Sequence, residues 1–480
     1  MLVDGGILAF FSAAAVVVHI LGIAHAAHAV MNVRSSQGAI AWGISLVTFP
    51  WLAIPLYWIL GRTKFHGYSE ALRSVYDQHH QLVGQTYSEL AKFKVALPDN
   101  LAPLQALAEA FTGTSFTSGN AAELLINGQQ TYAAMLNAIA SATDYILLQS
   151  YIVADDQAGN EFKDALITKA KQGINIYFLY DEIGSNKLSR SYINSLQQNG
   201  IQASAFHTTK GRGNRLQLNF RNHRKILVVD GETAFVGGLN IGDEYLGKNP
   251  RLSPWRDTHM MLKGPTVQTL QATFLQDWYW AKRKVLEVKW QVKVNHEFNQ
   301  TAFMLPTGPA DKLPACNLFF VNSINLAQTR LWIASPYFVP DESTLSALKL
   351  AVMRGVDVRI ILPNRADHLL VYLCSFSYYT ELATIGIKLF RYRRGFMHQK
   401  IILIDDDMAG VGTTNLDNRS FFLNFEVMGF VTGHRFVESV EKMLEDDLAV
   451  SVTVDLSEYK RKPFWFKLAV RISRLVTPLL

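Results

Sequence analysis

At 480 residues the chain has room for about two to four ordinary domains. Hydrophobic residues make up 49% and charged residues only 18%, with a positive mean hydropathy, a balance that points away from a plainly water-soluble enzyme. Its two cysteines, Cys316 and Cys374, exclude a disulfide framework, and no Cys/His cluster has zinc spacing, so neither a structural disulfide nor a bound metal is expected. The formal charge is +6, and Lys460, Arg461, Lys462, Lys467, Arg471 and Arg474 crowd a C-terminal stretch without an acid, which suggests an anionic surface there.

From Ile7 to Val33 the sequence is almost uniformly apolar and free of formal charge. That is long enough for a membrane-spanning helix, which needs about 20 residues. After Arg34 and a short polar loop, a second span is expected from Ala39 to Leu60, rich in aromatics and carrying Pro50 and Pro55. A cleavable signal peptide does not fit, since MLVDGG has no positive charge and a second span follows. Arg62, Lys64 and Arg73 follow the second span, while the intervening loop has only Arg34; the positive-inside rule then puts the main body in the cytoplasm. His19, His25 and His28 lie in the first span without an acidic partner in either span, and are expected as neutral groups facing the partner helix.

Residues 69–92 place Leu72, Val75, Tyr76, His79, Leu82, Val83, Tyr87 and Leu90 at helical spacing, which predicts one amphipathic helix ending before Pro98. The stretch TGTSFTSGN at 112–120 reads as a turn-rich boundary. Beyond it helices and strands alternate: a helix over Gln129–Ala142, a strand over Tyr145–Val153, a helix over Phe162–Lys171 and a strand over Ile174–Tyr180. The second half repeats the pattern with Leu331–Val339, Ser343–Met353 and Val356–Leu362. Such alternation predicts parallel sheet with helices on its faces, and the repetition predicts two α/β halves related by a pseudo-two-fold. Neither half has a Gly-x-Gly-x-x-Gly or a P-loop, so no nucleotide cofactor is expected. In the tail, Lys467, Arg471 and Arg474 fall on one helical face, with Trp465, Leu468, Ala469, Ile472, Leu475 and Val476 on the other, as suits the surface of an anionic membrane.

The chemistry is carried by a repeated stretch. HRKILVVDGETAFVGGLN at 223–240 and HQKIILIDDDMAGVGTTN at 398–415 match at His223/His398, Lys225/Lys400, Asp230/Asp405, Gly237/Gly412 and Asn240/Asn415. In a strand, residues two apart share a face, so each His and Lys would point into the same space. Asp230 has the opposite parity and precedes Gly231, which predicts a turn-shaping role. A pseudo-two-fold would bring two His-Lys-Asn sets to one cavity, able to hold a phosphoryl group between ammonium and amide donors. One neutral histidine can attack phosphorus while the other, protonated, serves the leaving alcohol. Asp257 in PWRDTH and Glu426 in LNFEVM follow the two motifs at similar distances and are candidates to orient the imidazoles.

These stretches resemble the duplicated HKD motifs of the phospholipase D superfamily. RNHRKILVVDGETAFVGGLNIGDEYL, PWRDTH, GTTNLDNRSFFLNFE and the N-terminal hydrophobic hairpin are together similar to bacterial cardiolipin synthases, over nearly the whole chain. The resemblance implies two phospholipase D-like α/β halves preceded by a transmembrane helical hairpin, and a phosphohistidine intermediate formed without metal or other cofactor. It implies a catalytic set of His223, Lys225, Asp230, His398, Lys400 and Asp405, with phosphate on Asn240 and Asn415 and the histidines oriented by Asp257 and Glu426. It favours His223 as nucleophile. Gly238 is matched by Thr413, so the two halves of the site are not equivalent.

The implied layout is 1–64 as two transmembrane helices and 65–120 as an amphipathic helical linker. Residues 121–295 and 296–456 are the two halves, and 457–480 the basic amphipathic tail. The implied reaction transfers a phosphatidyl group between two phosphatidylglycerol molecules, giving cardiolipin and glycerol at an anionic membrane, the bacterial inner membrane, with the catalytic body on its cytoplasmic side. Hydrolysis, or transfer to another alcohol, remains the alternative that the motifs alone allow. Lys210, Arg212, Arg215, Arg221, Arg391, Arg393 and Arg394 flank the motifs and would also suit a nuclease, but the two spans argue against a nucleic-acid partner.

Overall fold

The computed structural model describes residues 2–33, 35–61, 64–210, 214, 218–475 and 477, apart from the side chains of 2–6, 8, 78–83, 85 and 86. Arg34, Arg62, Arg212, Arg215 and Val476, and the side chains of His79, Leu82 and Val83, therefore lie outside the described residues. The chain divides into two units: Met1–Gly67 with Thr208–Phe220, and Tyr68–His207 with Arg221–Pro478.

The first unit contains α1 (Leu2–Asn32), α2 (Ser36–Thr48) and α3 (Pro50–Leu60). Among the described residues, Ala9–Asn32 is the one helical stretch long and apolar enough to cross a membrane. The expected second span is not one continuous helix. Proline has no N–H and its ring crowds the residue before it, so Phe49 leaves the helical region (φ −130°, ψ 55°) and α3 starts afresh with Pro50 in its first turn. Gly22 lets α1 and α2 approach closely: a Cβ there would lie 2.3 Å from the Leu46 carbonyl oxygen. Trp58 Nε1 donates to His25 Nε2 at 3.0 Å, and His28 Nδ1 meets the Tyr57 hydroxyl at 2.8 Å, so these two histidines do face α3. His19 does not; it is exposed and bonds to the Ala15 carbonyl oxygen of its own helix.

The second unit is organised by one 16-stranded sheet. Its first half supplies β1 (Thr117–Ile126), β2 (Tyr145–Ser150), β3 (Asn175–Tyr180), β4 (Gln202–Ala205), β5 (Ile226–Val229), β6 (Thr233–Gly237) and β7 (Thr258–Lys263). The second supplies β8 (Gln300–Thr307), β9 (Arg330–Ala334), β10 (Asp357–Pro363), β11 (Lys388–Tyr392), β12 (Ile401–Ile404), β13 (Met408–Gly412), β14 (Asn424–Thr432) and β15 (Ser451–Thr453). The strand order is β15-β11-β10-β9-β12-β13-β14-β8-β1-β7-β6-β5-β2-β3-β4, with Arg221–Asn222 pairing off this path to β14. Outward from the antiparallel β8–β1 pair the two arms repeat the same succession, which is the arrangement a pseudo-two-fold between them produces. β2, β3 and β4 are parallel to one another, as are β9, β10 and β11, whereas both motif hairpins are antiparallel.

Helices follow the expected alternation: α4 (Tyr68–Ala91), α5 (Asn127–Ser141), α6 (Gln157–Lys171), α7 (Thr266–Lys282), α8 (Glu342–Met353), α9 (Leu369–Thr384), α10 (Asn418–Phe422), α11 (His434–Ala449) and the terminal α12 (Phe464–Leu475) are those that bear on the site and the tail. The strands read as continuous apolar runs because both faces are covered; Ile226–Val229 and Ile401–Ile404 are buried throughout. The turn-rich reading of 112–120 fails from Thr117 onward, where β1 begins. Asn120 explains why a polar, glycine-containing segment can be a strand: its Nδ2 donates to Gln300 O at 3.2 Å and its Oδ1 accepts from Thr266 N at 2.9 Å. Tertiary pairing overrides local turn propensity there. The strand expected over Leu331–Val339 is interrupted, ending at Ala334 and resuming only as the pair Phe338–Val339.

Candidate active site

In each motif the ladder begins after the lysine, at Ile226 and Ile401, so His223, Lys225, His398 and Lys400 lie just ahead of the strand and not within it. Their register is fixed from the far end of the hairpin. Asp230 Oδ1 accepts from the backbone N–H groups of Asp144 (2.8 Å) and Tyr145 (2.9 Å), and Oδ2 from Thr143 N and Oγ1. Asp405 does the same for Thr329 N (2.7 Å), Arg330 N (2.8 Å) and Gln328 N (2.9 Å). Both aspartates and Gly231 take positive φ, the backbone a tight reversal needs. Asp230 and Asp405 thus pin each hairpin to the start of β2 or β9, and neither lines the cavity onto which the two histidines open.

A cavity of about 710 Å³ brings together His223, His398, Asn240 and Asn415. The two imidazoles are oriented crosswise. His223 Nδ1 lies 2.9 Å from Glu426 Oε2, and His398 Nδ1 lies 2.9 Å from Asp257 Oδ2. Each acid therefore serves the histidine of the other half. Bonding of Nδ1–H to a carboxylate fixes the tautomer and leaves Nε2 as the basic nitrogen. Glu426 also accepts from Thr413 Oγ1 (2.5 Å), Ser420 Oγ (2.8 Å) and Asn424 Nδ2 (3.1 Å). Asp257 accepts from Trp255 Nε1 (3.2 Å) and Thr258 N (2.8 Å). The Gly238/Thr413 difference follows from this: the Thr413 hydroxyl binds Glu426, whereas a Cβ on residue 238 would lie 2.0 Å from Asp257 Oδ1.

The lysines lie behind the histidines. Lys225 Nζ donates to the His223 carbonyl oxygen at 2.7 Å, and Lys400 Nζ stands 2.9 Å from His398 Nδ1 and 3.2 Å from Nε2. Burial, reinforced by the nearby lysines, pushes both histidines down to about 4, against the opposing pull of Glu426 on His223 and of Asp257 on His398. Burial likewise pushes Lys225 down to about 7 and Lys400 to about 8. For Asp257 and Glu426 burial alone would raise the pKa, but the facing histidines and lysines outweigh it and hold both carboxylates below their usual range. Without substrate the site thus holds two ionised acids and two neutral imidazoles near neutral pH. Asn240 is fixed at both ends, its Oδ1 accepting from Ile152 N (3.1 Å) and its Nδ2 donating to the Tyr245 hydroxyl (3.1 Å). Rings of Tyr151 and Trp255 stand 4.8 and 5.1 Å from those of His223 and His398.

Two buried ion pairs escaped the sequence reading. Arg224, between His223 and Lys225, pairs with Asp277 of α7 at 2.8 Å and donates through Nε to the Glu426 carbonyl oxygen at 3.1 Å. Arg256 grips Asp447 of α11 through Nε and Nη2, both at 2.8 Å, and donates through Nη1 to the Asp257 carbonyl oxygen at 2.7 Å. Each arginine holds the main chain of one orienting acid. The available signal was a single acid on an otherwise buried helix face, weak by itself. Of the flanking basic residues, Arg221 lines the cavity, Arg391 pairs with Glu458, Arg393 and Arg394 are exposed away from it, and Lys210 belongs to the first unit.

Fold and site together define a duplicated phospholipase D-like protein, with one histidine motif on each half of a continuous sheet. The family described as "Cardiolipin synthase, PLD-like domain" matches residues 135–278 and 320–448. Cardiolipin synthase A of Pseudomonas aeruginosa (strain LESB58) is 44% identical over 469 residues, covering 96% of this chain and 95% of that one. Cardiolipin synthase A of Pseudomonas fluorescens (strain SBW25) is 43% identical over 476 residues, covering 99% and 98%. Among solved structures, phosphatidylserine synthase of Haemophilus influenzae Rd KW20 shares the fold, with a TM-score of 0.60 at 15% identity, covering 80% of this chain and 100% of that one. The chain belongs to the cardiolipin synthase family of phospholipase D-like proteins.

Proposed function

We propose that this protein makes cardiolipin and glycerol from two molecules of phosphatidylglycerol, by way of a phosphohistidine. The observation that carries the mechanism is the crossed pair of His–carboxylate contacts opening on one cavity. Nε2 of one histidine attacks the phosphorus of the first lipid. The P–O bond to glycerol breaks, and the second histidine gives its proton to the departing oxygen. A hydroxyl of the second lipid then returns a proton to that histidine and attacks phosphorus; the P–N bond breaks and cardiolipin leaves. Lys225, Lys400, Asn240 and Asn415 supply charge and amide donors for the phosphoryl oxygens. Both imidazoles start neutral, so the proton for the acid must arrive with substrate: a phosphodiester anion favours the charged form of a neighbouring histidine. The resemblance assigns the attack to His223.

The exchange breaks one phosphodiester and makes another, so keeping water out decides between transfer and hydrolysis. We place α1 and the broken α2–α3 segment across the bacterial inner membrane as two passes, with the catalytic body on the cytoplasmic side. Lys64 and Arg73 after the second pass support that orientation. Exposed Phe464, Trp465, Leu468, Ile472 and Leu475 on α12, beside Lys467 and Arg471, support binding of the tail to an anionic bilayer surface. The layout with boundaries at 64, 120, 295 and 456 belongs to this proposal, and the start of β1 at Thr117 favours opening the first half a few residues earlier.

Purified full-length protein in phosphatidylglycerol vesicles, without added nucleotide or metal, is expected to yield cardiolipin and glycerol in equal amounts. Phosphatidic acid as the main product would replace the transferase by a hydrolase. His223→Ala and His398→Ala should each abolish turnover, and substantial activity in either would refute the paired mechanism.

A further inference from the structure

The cavity holds a second cluster that these steps leave unused. Arg221 and Arg419 both line it. Arg221 arrives on the two-residue strand parallel to β14, directly opposite Asn424, and Arg419 arrives on α10, four residues after Asn415. The two guanidiniums feel each other: burial, then the charge of Arg221, lowers the pKa of Arg419. Tyr151, whose ring stands edge-on to His223, lines the same cavity and feels the charges of both Arg221 and Arg419. Asp417, which lines the same cavity, and Asp181 offset part of this charge, and an anion with several oxygens would add to that compensation while bonding the guanidiniums directly.

A separate observation concerns neutral groups. Asn424 and Asn415 are 6% and 4% exposed, both line the same cavity, and the Oδ1 atom of each has no hydrogen-bond partner among the described residues. A buried carbonyl oxygen without a donor is costly, and a hydroxyl would supply one. Guanidiniums beside vacant hydroxyl acceptors match the chemistry of a polyol phosphodiester.

We propose that Arg221, Arg419 and Asn424 form the subsite for the acceptor lipid's own phosphodiester and glycerol head group, distinct from the His-Lys-Asn sets that hold the reacting phosphoryl group. The assignment rests on the transferase function proposed above and adds how the acceptor is chosen. A hydrolase needs no such site, because water carries no phosphate. A phosphatidylglycerol acceptor carries one a single glycerol length from its attacking hydroxyl. The acceptor's hydroxyl proton passes to a histidine, its oxygen bonds to phosphorus and the P–N bond breaks; its own phosphodiester stays intact on the arginines. Asn415, on the same cavity wall, has an oxygen unpartnered among the described residues that would accept from the acceptor hydroxyl.

The test compares two acceptors on one donor, using the full-length protein in phosphatidylglycerol vesicles. Cardiolipin formation uses an anionic acceptor, whereas incorporation of labelled free glycerol into phosphatidylglycerol uses a neutral one after the same first step. Arg221→Gln and Arg419→Gln should each lower the ratio of cardiolipin formed to glycerol incorporated at least tenfold, and Arg419→Lys should recover part of it. An unchanged ratio overturns the subsite, whether or not both rates fall. The wild-type protein gives an independent arm that no misfolded variant can obscure. Water-soluble glycerophosphoglycerol should compete with the lipid acceptor at concentrations where glycerol does not; equal competition overturns the proposal. So does inorganic phosphate that inhibits both reactions alike at lower concentration than glycerophosphoglycerol, since the anion would then sit at the reacting centre. Wild-type protein that forms neither product would instead refute the transferase function.

Discussion

Replacing Asp257 by Asn should disable His398, in the other half of the molecule, and leave the ring of His223 nearly untouched. The Asp257 carboxylate is fully buried and 2.9 Å from His398 Nδ1. A hydrogen bond to a charged group contributes about 1.5–3 kcal/mol. At about 1.4 kcal/mol per tenfold, its loss should lower kcat by roughly 10- to 100-fold. The loss will be larger if the amide presents its NH2 to Nδ1 and selects the wrong tautomer, a change that costs about 10⁴ in serine proteases. The sign of the pKa change is fixed as well: Asp257 favours the charged imidazole, so its neutralisation drives His398 below about 4. Histidine ¹⁵N spectra of the detergent-solubilised protein, recorded against pH, read both effects. Asp257→Asn is expected to shift the His398 Nδ1 resonance, and Glu426→Gln that of His223. If Asp257→Asn moved His223 and spared His398, the crossed arrangement would be wrong.

Other consequences can be checked on stability as well as activity. Each histidine titrates at about 4 in the folded protein against about 6.5 unfolded; between those values the unfolded chain binds more protons, so stability falls as pH drops from 6.5 to 4. The loss should be on the order of 3 kcal/mol per histidine, and His398→Gln should flatten the fall in thermal midpoint over that window. Asp447→Asn leaves the buried Arg256 guanidinium with half its partner and should cost about 3–5 kcal/mol in denaturant unfolding; a cost below 1 kcal/mol would show that the pair is not a main support. Gly238→Ala puts a methyl carbon 2.0 Å from Asp257 Oδ1, so activity should fall at least tenfold while Thr413→Ser, which keeps the hydroxyl on Glu426, retains most of it.

Much of the architecture was legible because periodicity reports burial directly. The helices at 127–141, 157–171 and 342–353 and the strands at 145–150, 175–180 and 357–363 lie close to where apolar spacing and glycine punctuation put them. The duplication of His, Lys and Asn announced a two-part site. The turn parity of Asp230 and Asp405 anticipated their placement at the hairpin ends, each bound to three successive backbone N–H groups. Where local signals misled, the reasons differ: Thr117–Asn120 looks like a turn until β8, remote in sequence, pairs with it, and the apolar run at 39–60 hides the break that Pro50 imposes.

The pairing of acids with histidines belongs to a different level. Asp257 and Glu426 stand at comparable distances after their motifs, and spacing along the chain attaches each to its own half. Joining the halves through β1 and β8 sets each acid beside the opposite imidazole instead. The same long-range closure sets Arg224 against the Glu426 carbonyl, Arg256 against Asp447, and Arg221 across from Asn424. Residue types and their order fixed which groups could do the chemistry. Which of them meet depended on strands some 200 residues apart in sequence pairing across one sheet, because a hydrogen bond is sensitive to tenths of an ångström in space and blind to distance along the chain.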